Sequence, residues 1–177
     1  MSAPLQVADF SASLVTAQGL ALQLRPLQTN DIETLVAVEA SAHSHPWNSG
    51  LFRDCLQGRQ MCVLAWAEQR LVGYFVVTAA AGESELLNIT VAPGFQGRGV
   101  GSLLLQHLLL TLSAVADTVY LEVRASNQQA IGLYHAAGFS EVGIRPNYYP
   151  AARGREDAII FALMLENPIQ GSGAVIS

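Results

Sequence analysis

The sequence predicts a mixed α/β domain in which helices cover both faces of a central sheet. Strand-length apolar runs alternate with longer runs of helical periodicity. Two of the helical runs connect strands, and such crossovers make at least part of a sheet parallel. Two neighbouring β-branched runs are separated by only three polar residues, which is typical of an antiparallel hairpin.

The first half of the chain predicts two helices and four strands. Asn30 and Glu33 have the spacing of a capping box, which predicts a helix through Ala40. A short helix over 51–57 follows a turn-rich loop. Gly73 interrupts a strand, where it relieves crowding or marks a bulge. The predicted strands are Leu20–Leu27, Met61–Ala67, Leu71–Ala79 and Glu85–Val91.

The second half predicts two more helices and three more strands. A glycine-rich turn after Val91 leads into an apolar helix that ends near Val115. Asn127 is placed to cap a helix ending at Ala137, where Gly138 is the expected left-handed cap. The strands are Thr118–Arg124, a strand that starts over Phe139–Gly143, and Ala158–Leu165; a loop rich in Arg, Tyr and Pro separates the last two over 145–155.

Length and composition are those of one globular domain. The chain has 177 residues, of which 51% are apolar and 13% charged, so global disorder is excluded. The apolar stretches are interrupted well before the ~20 residues that cross a bilayer, and residues 1–19 do not resemble a secretory signal. We therefore expect a cytoplasmic protein without membrane contact. We divide it into an extension (1–19, loosely ordered or an added strand), a main domain (20–166) and a tail (167–177).

Charge and metal-binding residue types narrow the possible partners. Nine arginines, no lysine and fourteen acidic residues give a net charge of −5, which argues against nucleic-acid binding and is compatible with a cationic substrate. Cys55 and Cys62 are too few for a disulfide framework or a zinc site, so we expect buried thiols. His43 and His45 lack ligating neighbours at metal spacing, so no metal is expected.

The strongest functional signal is the segment Gln96–Gly101, which reads Q-G-R-G-V-G. It lies between a strand-like and a helix-like run. Glycines allow backbone N–H groups to converge, and the helix that follows points its positive dipole end at the same place. This arrangement favours a pyrophosphate as ligand.

Three glycine-rich motifs compete for this segment. The P-loop is excluded because it needs a lysine, which the chain lacks. The dinucleotide fingerprint needs G-x-G-x-x-G, and the alternation of Gly97, Gly99 and Gly101 does not continue in that register. The third motif, [QR]-x-x-G-x-[GA], is matched by Gln96, Gly99 and Gly101. It resembles the pyrophosphate loop of the GCN5-related N-acetyltransferases (GNATs), which bind acetyl-coenzyme A.

Three longer segments resemble the RimI-type branch of that family, the ribosomal-protein-alanine N-acetyltransferases. They read LLNITVAPGFQGRGVG, LEVRASNQQAIGLYHAAGF and NYYPAARGREDAIIFAL, and HPWN at 45–48 is similar to a Pro-Trp segment of the family's substrate-side loop. The resemblance covers about residues 20–165. It implies the GNAT fold and direct acetyl transfer from acetyl-coenzyme A to the N-terminal alanine of a small-subunit ribosomal protein. Gly97 replaces an arginine of many relatives, for which Arg98 compensates in part.

The resemblance also implies roles for individual residues. Glu122 would take the proton of the substrate ammonium and Tyr134 would protonate the leaving thiolate; from the bare sequence, a solvent-facing glutamate and a core tyrosine are the alternatives. Asn127 would both cap its helix and bind the coenzyme arm. The residues expected to bind the cofactor are Ile89, Thr90, Val91, Gln96, Gly97, Arg98, Gly99, Val100, Gly101, Ser102 and Asn127.

Further expectations concern the substrate side. A bulge near Asn88 would turn a backbone amide towards the thioester carbonyl. Tyr148, Tyr149 and the segment Arg155–Asp157 would form a substrate-side wall with its own salt links, and Glu39 with Trp47 would line the peptide groove.

Two other functions stay open at this stage. The same chemistry on a lysine side chain or a small-molecule amine would need only a different groove. A non-catalytic module that senses acyl-coenzyme A would bind the thioester without turnover.

Overall fold

The computed structural model describes residues 4–58 and 60–166, so the tail (167–177), the first three residues and residue 59 lie outside the described part. The strands are β1 Ala12–Val15, β2 Ala21–Pro26, β3 Met61–Ala67, β4 Arg70–Ala80, β5 Glu83–Val91, β6 Thr118–Arg124, β7 Ser140–Pro150 and β8 Arg155–Met164. The α-helices are α1 Ile32–Ala42, α2 Ser49–Leu56, α3 Val100–Leu112 and α4 Gln128–Ala136.

All eight strands belong to one mixed sheet of order β1-β2-β3-β4-β5-β6-β8-β7. The pair β5–β6, which α3 connects, is parallel, and the other neighbouring strands are antiparallel. The predicted mixed sheet and the predicted hairpin of β3 and β4 are therefore confirmed. The second crossover helix, α4, does not join sheet neighbours, because β8 lies between β6 and β7.

Helices cover both faces of the sheet, as predicted. Alternate residues of β4 show why: Phe75 and Val77 pack in the core under α3 and α4, whereas Tyr74 and Val76 pack in the core under α1 and α2. A strand buried on both faces cannot show the apolar–polar alternation of an amphipathic strand. Glycine at 73 has a steric reason, since a Cβ there would lie 2.8 Å from the Thr90 carbonyl oxygen.

Part of the predicted extension is an added strand rather than a loosely ordered segment. β1 pairs antiparallel with β2 over Ala12–Val15. Phe10, just before it, is fully buried, and its ring centroid lies 5.4 Å from that of Phe75. The Phe10 carbonyl also accepts a hydrogen bond of 3.0 Å from His107 on α3. The boundary at residue 20 stays a prediction.

The predicted capping box at Asn30 and Glu33 is wrong. α1 begins at Ile32, after a short 3-10 turn. Asp31 caps that turn instead, because its carboxylate accepts hydrogen bonds from the Gln28 N–H at 2.8 Å and from the Arg25 guanidinium at 2.7 and 2.9 Å. The Arg25 contact holds the pKa of Asp31 below its ordinary value.

The predicted loop over 145–155 is mostly strand, because β7 continues to Pro150 and β8 begins at Arg155. The hairpin is largely exposed, so it lacks the apolar period that indicates a strand. Polar contacts hold its end: the Asn147 N–H donates to Asp157 at 2.8 Å, and Arg155 donates to the Asn147 carbonyl at 2.7 Å. Arg155 thus contacts a main-chain carbonyl, and Glu156 pairs with Arg124 of β6 at 2.9 Å, so the prediction of salt links internal to this segment is wrong.

The predicted boundaries of α4 are close to those of the structure. Asn127 caps the helix through a 3.1 Å hydrogen bond from the Ala130 N–H, and Gly138 has the expected left-handed conformation with φ +94°. α3 ends at Leu112, three residues before the predicted Val115. Cys55 and Cys62 are both free and buried, as expected. Within residues 4–58 and 60–166, no helix is long and apolar enough to cross a membrane.

Buried tyrosines predict a loss of stability at alkaline pH. Burial raises the pKa of Tyr74 and Tyr134 above their ordinary value, and raises that of Tyr149 to about 12. Tyrosines of the unfolded chain lose their protons near pH 10, so between about pH 10 and 12 the folded state binds more protons than the unfolded state. The free energy of unfolding therefore falls as pH rises through that window. The urea midpoint should decrease over this range together with a rise in tyrosinate absorbance. A constant midpoint would contradict the burial of these phenols.

Candidate active site

A cavity of about 390 Å³ opens where the end of β5 meets the first turn of α3. Its volume lies in the range of small-molecule sites. Every residue expected to bind the cofactor, except Arg98, lines this cavity: Ile89, Thr90, Val91, Gln96, Gly97, Gly99, Val100, Gly101, Ser102 and Asn127. The Arg98 guanidinium lies instead over the ring of Phe95, 5.3 Å from its centroid.

The glycine turn presents backbone donors to this cavity. Gly97 and Gly99 have φ angles of +73° and +78°, which favour glycine over any other residue. The first backbone bond into α3 runs from the Leu103 N–H to the Gly99 carbonyl at 3.1 Å, so the N–H groups of Val100 and Gly101 precede the helical ladder. These donors and the positive end of the helix dipole are the features that favour an anion at this turn.

The sheet divides beside the glycine turn. Pairing between β5 and β6 ends at Leu86 and Leu121, although β5 continues to Val91 and β6 to Arg124. On its other side, β5 pairs Leu86 and Asn88 with consecutive residues of β4, so Leu87 forms a bulge. The bulge lies one residue from the predicted position. Beyond it, main-chain groups of β5 face the cavity without a strand partner on β6, as a strand-like ligand requires.

Helix α4 brings Asn127 and Tyr134 to the other side of the division. The Oδ1 atom of Asn127 is occupied by the helix cap, which leaves its amide N–H groups for a ligand. Tyr134 is 5% exposed, and its ring packs against Phe139 and Phe161 with centroids 5.8 and 6.0 Å away. Burial, and then the nearby Tyr149, raises the pKa of Tyr134, so the phenol keeps its proton at neutral pH.

Glu122 does not line the glycine-turn cavity. Leu121 and Val123 point into the core under α3, so Glu122 between them points to the opposite face of β6. There it lines a second cavity of about 360 Å³, and its carboxylate forms an ion pair with Arg145 of β7. Its side chain is 17% exposed, so it is not a freely solvated strand residue.

The structure therefore distributes the predicted groups over both faces of the sheet. The glycine turn and Asn127 line the first cavity, and Glu122 lines the second. Tyr134 is a buried residue of α4, and other residues of that helix line the first cavity. The point where β5 separates from β6 lies between the two cavities. A reaction that uses both the turn and Glu122 has to occur at this division.

Sequence reasoning missed a polar cluster on the α1 face of the division. Glu39 is only 1% exposed, so the expectation that it lines a peptide groove is wrong. Its carboxylate accepts a hydrogen bond of 2.9 Å from the Trp47 N–H and another from the Tyr74 hydroxyl. No sequence pattern reveals this cluster, because its members come from α1, the following loop, β4 and β5.

Comparison with known proteins assigns the family. The model of the acetyltransferase (GNAT) family matches residues 29–139. The [ribosomal protein bS18]-alanine N-acetyltransferase of Salmonella typhimurium is 42% identical over 138 residues, which are 77% of this chain and 93% of that protein. The chain belongs to the GNAT family of acetyltransferases. The Escherichia coli protein of the same name is 40% identical over 139 residues.

The fold comparison agrees with this membership. The crystal structure of the ribosomal-protein-S18-alanine N-acetyltransferase from E. coli has a TM-score of 0.77 and 36% identity, and covers 88% of this chain and 99% of that chain. The predicted GNAT fold is therefore confirmed, and the protein is an N-acetyltransferase. GNAT enzymes take their acetyl group from acetyl-coenzyme A. Over residues 4–58 and 60–166, no cluster of His, Cys, Asp and Glu side chains could hold a metal ion.

The cavity of this GNAT domain fits a nucleotide thioester. Its lining includes no carboxylate that would repel phosphates, and it combines apolar side chains with main-chain donors. A Cβ on Gly101 would lie 3.5 Å from Val91 and 3.6 Å from Leu133, so a larger residue there would narrow the passage between the turn and α4. Arg98 is the one arginine of the turn Gln96–Gly101.

Proposed function

We propose that the protein transfers the acetyl group of acetyl-coenzyme A directly to the N-terminal alanine of ribosomal protein bS18, in the cytoplasm. The observation that carries this proposal is the glycine-turn cavity at the division of the sheet, with main-chain donors at one end and carboxylates across the division. The relatives that share 36–42% identity with this chain and carry the bS18 name support the choice of acceptor.

Coenzyme binding follows from main-chain geometry. The N–H groups of the segment 97–102 would hold the pyrophosphate, and Arg98 adds a positive charge beside it. The unpaired main-chain groups of Ile89–Val91 would bind the pantetheine arm in the manner of an added strand, and the Asn127 amide would contact it from α4. These residues would place the thioester at the division, where proximity supplies much of the rate enhancement.

We assign proton transfer to two side chains, Glu122 and Tyr134. Glu122 would take a proton from the acceptor ammonium, and Arg145 would orient its carboxylate. Tyr134, whose raised pKa keeps its hydroxyl protonated, would give its proton to the departing thiolate.

The second cavity suits a cationic acceptor. Glu83, Glu85 and Glu122 line it with Arg145 as the one cation of the lining, so its net charge is negative. A carboxylate-rich wall attracts an ammonium group and any basic residues that follow it. The Tyr148–Tyr149 hairpin end and the loop over 43–48 would border the peptide.

Acetyl transfer to defined amines tests the proposal. The protein should acetylate a peptide with the bS18 N-terminus much faster than a polyamine or the lysine of a peptide with a blocked N-terminus, as measured by mass spectrometry. Faster lysine or polyamine acetylation would assign another acceptor. Coenzyme binding without transfer to any of the amines would indicate a sensing module.

Gly99→Val should weaken coenzyme binding at least about tenfold, or roughly 1.4 kcal/mol. A β-branched residue is strained at φ +78°, and relief of that strain would shift the N–H groups of the turn. The matched control is Gly94→Val, because a Cβ on Gly94 meets nothing within 4 Å and its backbone is not left-handed. Equal coenzyme affinity of both variants in calorimetry would place the phosphates away from the turn.

A further inference from the structure

His43 occupies a position that no role assigned above explains. It follows α1 directly and lines the glycine-turn cavity beside Thr90. Among the described residues that line this cavity, only His43 has a titratable side chain. Its side chain is 36% exposed, so it is accessible from the cavity and also fixed by neighbours.

Hydrogen bonds connect His43 to the buried carboxylate of Glu39. The Nε2 atom of His43 lies 2.8 Å from the Thr90 hydroxyl, which lies 2.9 Å from Oδ1 of Asn88. The Nδ2 atom of Asn88 lies 3.1 Å from the Tyr74 hydroxyl, which contacts Glu39. The chain of contacts thus crosses from α1 through β5 and β4 and returns to α1.

The chemistry of the donors gives this chain one direction. A carboxylate only accepts, so the Tyr74 hydroxyl donates to Glu39 and must itself accept from the Asn88 amide. Oδ1 of Asn88 then accepts from the Thr90 hydroxyl, whose oxygen accepts from Nε2–H of His43. The neutral imidazole therefore carries its proton on Nε2, and Nδ1 keeps its lone pair.

The same conclusion follows from a second contact of the ring. Nε2 of His43 lies 3.4 Å from Oε2 of Glu39, which also favours a proton on that nitrogen. A carboxylate that fixes the tautomer of a histidine and orients its ring is a recurring arrangement in proton transfer. Glu39 is held in turn by the Trp47 N–H, so the loop after α1 is tied to the same carboxylate.

We propose that Nδ1 of His43 is a second proton acceptor for the acetyl transfer, with Glu39 as its positioning residue. This inference rests on the proposed function. The acceptor ammonium must lose two protons to become an amide N–H. Glu122 takes the first, which frees the lone pair that attacks the carbonyl carbon; His43 takes the second once the C–N bond has formed.

The proton and bond changes balance with the groups already named. The C–N bond forms, the C–S bond breaks, and the sulfur keeps the electron pair and receives the proton of the Tyr134 hydroxyl. Solvent then reprotonates Tyr134 and removes the protons from Glu122 and His43, so that each turnover releases one proton. No metal, oxidant or reductant enters this sequence.

The two bases should respond differently to pH, which makes the proposal testable. A base for the first proton becomes dispensable when the amine is already neutral, above about pH 8. A base for the second proton is needed at every pH, because that proton leaves only after attack. The titratable groups that face His43 are Glu39 from α1 and Tyr74 from β4, whereas β5 presents the neutral Asn88 and Thr90.

The test measures kcat from about pH 6 to about pH 9 with the bS18 N-terminal peptide, a range that spans the ordinary pKa values of imidazole and an α-amine. His43→Gln keeps a donor for Thr90 but removes the basic nitrogen. It should lower kcat about 10- to 100-fold wherever the wild-type imidazole is neutral, including above about pH 8, and leave coenzyme affinity unchanged. His135→Gln, at an exposed side chain of α4 to which no role is assigned, should behave as the wild-type protein.

The controls separate this proposal from folding effects and from the proposed function. Tyr74→Phe keeps the ring packing and cuts the link between Asn88 and Glu39, so it should lower kcat with little change in KM. A His43→Gln enzyme with wild-type kcat, or one that recovers fully above about pH 8, would overturn the role of His43. A wild-type protein that acetylates no N-terminal alanine would instead refute the proposed function.

Discussion

Tyr134→Phe should lower kcat about 100-fold while coenzyme affinity stays within a factor of two of wild type, as general acids contribute ~10²–10⁴-fold. The thiolate of coenzyme A is a basic leaving group, so its departure benefits from a proton donor within reach. Burial keeps the phenol neutral, and no other hydroxyl of α4 is available in the described structure. Single-turnover kinetics would report the loss in the chemical step.

The substitution is well suited to this question because it preserves packing. The aromatic ring keeps its contacts with Phe139 and Phe161, so the urea midpoint should hardly change. Calorimetry with coenzyme A provides the control for binding. Wild-type kcat in this variant would assign proton donation to water, and a loss of coenzyme affinity without a change in kcat would make Tyr134 a binding residue.

The fold was largely predictable because its signals are local. The apolar period of α3, the hairpin spacing of β3 and β4, and the cap at Asn127 each depend on residues close in sequence. β1 escaped a firm prediction because its alternation covers only four residues, and the 145–155 segment because both faces of the hairpin end are exposed. The Asn30 capping box failed because a 3-10 turn covers Thr29–Asp31, closed by the Asp31 carboxylate on the Gln28 N–H, so that α1 begins only at Ile32.

The site was predictable only in part, for the same physical reason. The glycine turn is contiguous, so its motif identified five of the residues that line the cavity, Gln96, Gly97, Gly99, Val100 and Gly101. Glu122 and Tyr134 were placed by resemblance, since alternation alone gives an outward carboxylate and a core phenol. The ion pair of Glu122 with Arg145 and the route from His43 to Glu39 depend on strand neighbours that the chain order does not reveal.

The division of the sheet explains how one domain serves both reactants. If β5 and β6 stayed paired to their ends, they would separate the two cavities. The bulge at Leu87 and the loss of pairing after Leu86 instead open a route between the faces. The lining of the nucleotide side has no carboxylate and is rich in backbone donors, whereas the opposite side is acidic, so each side suits one reactant.

Glu122→Gln should lower kcat/KM about 100-fold near neutral pH, with most of the activity recovered as pH rises above about 8. Glutamine keeps the shape and a hydrogen-bond acceptor but cannot take a proton. The acceptor amine must then lose its proton to solvent before it reaches the site, and the neutral fraction rises with pH up to the pKa of the amine. The pH profile of kcat/KM measures this shift directly.

Arg145 complicates the comparison, because removal of the Glu122 charge leaves its guanidinium unpaired beside the acceptor ammonium. The double variant Glu122→Gln with Arg145→Gln removes both charges. If the missing base causes the loss, the double variant should remain as slow as the single one and recover at the same pH. If the unpaired cation causes it, the double variant should regain activity at neutral pH. Glu141→Gln serves as the control, because it removes an exposed carboxylate of β7 whose Oε1 atom lies 3.4 Å from Nε2 of His135. It should leave the pH profile of kcat/KM unchanged.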